Sequence, residues 1–81
     1  MKRRSIKVAG VLFTADGPGR YYSKCGRWGI FHMMAGTKES QWELHPVTKD
    51  GLPEAALIDY AITMGEIKLH AERGYFKLDA T

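Results

Sequence analysis

The chain has 81 residues, 44% apolar and 26% charged, with a net charge of +3. Those values describe one small domain with a thin core and marginal stability of its own, and they exclude a low-complexity or collagen-like chain. No apolar run approaches the ~20 residues that span a bilayer as a helix, and a single cysteine excludes an internal disulfide and fits a reducing compartment.

The amino-terminal MKRR is basic like the start of a signal peptide. The stretch that follows is interrupted by Lys7 and Gly10 and runs into Asp16-Gly17-Pro18-Gly19, the pattern of a strand and turn. We therefore expect a cytoplasmic protein with residues 1–4 as a basic, flexible arm on a single domain covering residues 1–81. In residues 5–14, Ile6, Val8, Gly10 and Leu12 alternate with Lys7, Ala9, Val11 and Phe13, which reads as one strand. The Asp-Gly-Pro-Gly turn opens a hairpin whose second strand runs from about Arg20 to Met34, broken or bulged at Cys25-Gly26. Residues 35–40 form a second turn and residues 41–47 a third strand, with Pro46 at its end or on a sheet edge. Symmetric pairing across that turn sets Trp28, Ile30 and Met34 on one face with Trp42 and Leu44, and His32 opposite Glu43.

Pro53 and Glu54 suit the first turn of a helix. Ala55, Ile58, Ala61, Ile62, Gly65 and Leu69 recur at helical spacing beside a second stripe of Leu57, Tyr60, Met64 and Ile67, and Gly74 is a C-terminal stop. Residues 75–78 are then either a short last strand or a tail on the helix. The expected fold is α+β: a three- to four-stranded antiparallel sheet with one helix on one face, ordered β-β-β-α. This order resembles the layout of AP2-type and integrase arm-binding domains, which read the major groove with a three-stranded sheet; the resemblance is one of topology.

The chemistry-bearing residues are sparse. No Cys/His spacing fits zinc, and no cofactor or metal is expected. His32 with Glu43 could serve as acid and base in a small ribonuclease, but a cross-strand polar pair on the solvent face accounts for the same two residues. Lys24 and Arg27 beside Cys25 favour thiolate, but no base or oxyanion site accompanies it, so an inert cysteine at a bulge is expected. Gly17-Pro18-Gly19 lacks the helix that a phosphate loop needs. Met33, Met34 and Met64 read as core filling. No catalytic constellation emerges, and a non-enzymatic binding module is expected.

Charge is uneven. Residues 1–27 hold seven cations and one carboxylate, a net +6, while residues 28–81 hold five cations against eight carboxylates, a net −3. Within the basic part, RYYSKCGRWGIF interleaves cations with aromatics. By strand parity, Trp28 and Ile30 face the helix. Arg20, Lys24, Arg27, Phe31 and one of Tyr21 and Tyr22 are left on the open face, where aromatics stack on bases and cations neutralise phosphates. The expected binding set is Lys2, Arg3, Arg4, Arg20, Tyr21, Tyr22, Lys24, Arg27 and Phe31, with DNA or RNA as partner. The alternative is a host protein, bound by a protein-interaction or inhibitor protein of the kind that phage and mobile elements encode, anti-CRISPR and anti-restriction proteins being examples. No membrane contact is expected, and an edge strand offers a route to a homodimer.

Overall fold

The computed structural model describes residues 4–78. Six strands and a helix follow in chain order: β1 (Ser5–Val8), β2 (Val11–Ala15), β3 (Arg20–Ser23), β4 (Trp28–Met33), β5 (Gln41–Pro46), β6 (Asp59–Ala61) and α1 (Met64–Glu72). Each strand pairs antiparallel with the next in a single sheet, β1 to β6, that curls into a half-barrel. The expected three- to four-stranded sheet is thus overturned, and with it the topological resemblance to three-stranded major-groove readers.

Three local choices account for the difference. Residues 5–14 form a hairpin, with Ala9 (φ 52°) and Gly10 (φ 81°) as its two-residue turn. Two positive φ values give the type I′ geometry that matches strand twist. Because the turn is two residues long, Val8 pairs with Val11 and both face the core, which an unbroken alternation would have put on opposite faces. The second break falls at residues 24–27, where a full turn replaces the expected bulge. The buried Ser23 hydroxyl accepts from the Trp28 amide (3.0 Å), and the Ser23 carbonyl accepts from Gly26 N (3.0 Å).

The third correction is the helix, which starts at Met64 rather than Pro53. Residues 53–61 instead run along β5, with Glu54 N donating to Pro46 O (2.8 Å) and Ile58 N to Leu44 O (2.9 Å). Thr63 caps α1, its hydroxyl accepting from Glu66 N (3.2 Å) while it donates to the Glu66 carboxylate (3.2 Å). The Thr63-x-x-Glu66 spacing is a capping-box signal that outranks the Pro53 start. At the other end Gly74 (φ 80°) ends the helix as expected, with Gly74 N to Ala71 O (3.1 Å) and Tyr75 N to His70 O (3.0 Å), the two bonds of a Schellman motif. Residues 76–78 form no strand; Phe76 and Leu78 pack against the core.

The core lies on the concave face. Val8, Phe13, Ile30 and Leu44 meet Ile67 of α1, and all five are fully buried. The helix touches β1, β5 and β6, so both ends of the sheet close on it.

The convex face has its own cover. Phe31 points away from α1, yet it is 6% exposed. Its ring lies over Gly29, where an added Cβ would come within 2.6 Å of Phe31 Cζ and 3.0 Å of Val47 Cγ1. Tyr22 meets Phe31 edge-on (5.7 Å) and donates its hydroxyl to Gly51 O (2.7 Å). The 47–58 connection is therefore a strap across β3–β5, and Phe31 lies beneath it.

Replacing Gly29 by alanine forces a methyl into the Phe31 ring, and chemical denaturation is expected to show a loss of about 1–3 kcal/mol. Ala9→Asn relieves a left-handed backbone that alanine disfavours and should add about 1 kcal/mol, read as a rise of about 4–8 °C in Tm.

Candidate functional site

The structure disperses the expected binding set. Arg20 and Lys24 sit at opposite ends of β3, about 13 Å apart at the usual strand rise. The Arg20 guanidinium folds back on its own turn and donates to Asp16 O (2.9 Å). Tyr21 is half-buried on the concave face, edge-on to Trp42 (6.2 Å). Tyr22 is half-buried under the strap, and Phe31 is covered by it. Arg4 is exposed and its carbonyl accepts from Ala15 N (2.8 Å), extending the β1–β2 ladder. Lys2 and Arg3 lie outside the described residues. The open platform of Arg20, Lys24, Arg27, Phe31 and a tyrosine is therefore not assembled, because the strap occupies the sheet face on which it was expected.

What the fold assembles instead is a rim at one end of the half-barrel. In an up-and-down sheet alternate turns fall at the same end, so the 9–10 turn, the 24–27 turn and the start of the strap are neighbours. Lys24 N donates to Leu12 O (2.9 Å) and Val47 N to Arg27 O (3.0 Å), tying the 24–27 turn to both sides. One flank is a shallow cleft of about 420 Å³ lined by Lys7, Lys24, Leu12 and Cys25. The other, of about 320 Å³, is lined by Arg27, Trp28, Lys49 and Glu54 among others. Arg27 lies 5.1 Å from the Trp28 ring centroid, a cation–π distance. Lys7, Lys24, Arg27 and Lys49 thus come from three separate segments, and among the described residues Glu54 is the one carboxylate lining either cleft. Lys7 and Lys49 are absent from the expected set, since nothing local marks them; only the strand order brings them to Lys24 and Arg27.

Cys25 is exposed on this rim. The Ser23 hydroxyl 3.4 Å from its sulfur, followed by the backbone amides and the Arg27 charge, holds the thiol below its ordinary 9.0.

The histidines are placed differently from the symmetric pairing. Met34 takes φ 55° and leaves the strand, so Met33 pairs with Gln41 and the register moves by one. His32 then lies opposite Trp42 and stacks on it (4.6 Å, 7° between planes), while Glu43 falls opposite Phe31. The expected cross-strand pairing of His32 with Glu43 does not form, and with it goes the acid–base arrangement it could have provided.

Glu43 instead bonds His45 on the same convex face, Oε1 to Nε2 at 2.7 Å, and its other oxygen accepts from Gln41 (2.6 Å). His45 Nδ1 lies 2.9 Å from Glu54 O and 2.7 Å from Ala56 O. Carbonyls only accept, so Nδ1 carries a proton and donates to them. His45 clips the strap onto β5 and is 8% exposed. The bonds from His45, then Gln41, hold the Glu43 carboxyl below its ordinary 4.5.

Among the described residues no group of three or more His, Cys, Asp or Glu side chains could hold a metal ion, and no helix is long and apolar enough to cross a membrane. No family model, curated protein or solved structure matches the chain.

A carboxyl depressed in the folded state adds stability that is present above its unfolded value and lost as pH falls through the folded one. Unfolding measured against pH should therefore show stability falling as pH drops below about 4.5. Glu43→Gln is expected to be less stable at neutral pH and to have a shallower acid limb.

Proposed function

We propose that the chain is a small binding module that grips the phosphate backbone of a nucleic acid with the strand-end rim of its half-barrel. The observation that carries this reading is the convergence of Lys7, Lys24, Arg27 and Lys49 around the 24–27 turn, where Glu54 is the one lining carboxylate among the described residues. The +6 charge of residues 1–27 supports it, since an uneven positive field draws in a polyanion. Arg4, which precedes β1, lies at the end of the sheet opposite the rim, so it would meet the backbone apart from the rim cations.

Backbone contact is favoured over base stacking because Tyr21 and Phe31 are taken up by the packing of the two sheet faces, and Tyr22 by the strap. Phosphate contacts position a protein without reading sequence. The module should accept many sequences, with affinity that falls steeply as salt rises.

Fluorescence-anisotropy titrations against duplex DNA, single-stranded DNA and RNA at several salt concentrations test the proposal. Each lost phosphate contact lowers the slope of log K against log salt by about 1. Lys24→Ala, Arg27→Ala and Lys49→Ala should each do so. Arg20→Ala should leave the slope unchanged, because that guanidinium is bonded to Asp16 O at the other end of the sheet. Absent or salt-independent binding, or an equal effect of Arg20→Ala, overturns the assignment.

A further inference from the structure

The sheet ends at β6, and the outer side of that strand has no strand partner among the described residues. Asp59, Tyr60 and Ala61, with Ile62 after them, line one wall of a cleft of about 360 Å³; Glu66 and His70 of α1 and Tyr75 form the other. Tyr60, Ile62 and Tyr75 are 56%, 70% and 65% exposed, an unusual degree for large apolar side chains that share one groove. The walls are held in place: His70 Nδ1 lies 2.9 Å from Asp59 Oδ2, and its ring stacks on Tyr75 at 5.1 Å.

We propose that this cleft takes an extended, basic segment of a partner protein, added as a strand along β6. An open sheet edge supplies main-chain hydrogen bonds to an extended chain and to little else. The apolar side chains of the incoming strand would lie on Tyr60, Ile62 and Tyr75. Its lysines or arginines would face Asp59 and Glu66, the two carboxylates among the described residues that line the cleft, which include no lysine or arginine.

The same charges disfavour the other occupants. A second copy pairing through β6 would set two acidic clefts against each other, and like charges across an interface oppose association. A nucleic acid would meet the same carboxylates. None of the rim cations lines this cleft, so the inference stands apart from the proposed nucleic-acid contact.

The test is a titration of the 15N-labelled chain with an acetylated, amidated octapeptide alternating arginine and valine. Controls are the glutamate–valine counterpart and an arginine–valine peptide N-methylated at alternate amides. The arginine peptide should shift the amides of Asp59, Tyr60, Ile62, Glu66 and Tyr75, and neither control should. Glu66→Gln, which keeps an acceptor for Thr63, and Ile62→Ser should each weaken binding by about tenfold without altering the salt slope for DNA. Equal binding of the glutamate peptide overturns the proposal, as do shifts centred on the 24–27 turn or no shifts at all. Self-association of the peptide-free protein that Ile62→Ser abolishes would assign the cleft to a second copy and equally overturn it.

Discussion

Six short strands joined in order have two edges and two faces to protect, and α1 is nine residues long. Curvature meets the part of this constraint that concerns the concave face. The sheet bends until β1 and β6 both reach the helix, and Ile67 fills the concavity that Val8, Phe13, Ile30 and Leu44 leave. Closing on a common helix covers apolar surface that a flat sheet of this size would expose. A helix that serves the concave side is not available to the convex side, so the 47–58 strap has to cover Phe31.

The strap depends on matched details of β4 and β5. Gly29 leaves room for the Phe31 ring, and Val47 packs beside both. His45, on the same face, reaches the Glu54 and Ala56 carbonyls with one nitrogen and Glu43 with the other. Buried polar groups have to find partners, and these find them by tying a connection to a strand. The His45–Glu43 hydrogen bond therefore acts on where the chain goes as well as on how stable it is.

The surface chemistry follows from the same topology. Alternation of turns collects Lys7, Lys24, Arg27 and Lys49 at one end of the sheet, although 42 positions separate the first from the last. The segment 59–66, with two carboxylates and two exposed apolar side chains, becomes an open edge backed by a helix. One small domain thus presents a cationic rim and an acidic, apolar groove as distinct surfaces.

Several elements were legible from residues alone. These were the antiparallel strands, the Asp16–Gly19 turn, the core-facing parity of Trp28 and Ile30, and the Gly74 stop. Each rests on period-two alternation or on backbone freedom at glycine and proline, which are local properties. The hairpin at Ala9-Gly10 was not legible, because alanine seldom takes positive φ and the alternation continues across it. Residues 53–62 fit helical spacing as well as a strand, and their hydrogen bonds to Pro46 and Leu44 decided between the two. The exposure of Phe31 depended on a connection between distant strands, and the grouping of the cations depended on strand order. The sequence by itself determined which segments bend, which alternate and how charge divides along the chain. Only the tertiary structure decided which face is covered and which charges meet, because those depend on pairings between residues far apart in the chain.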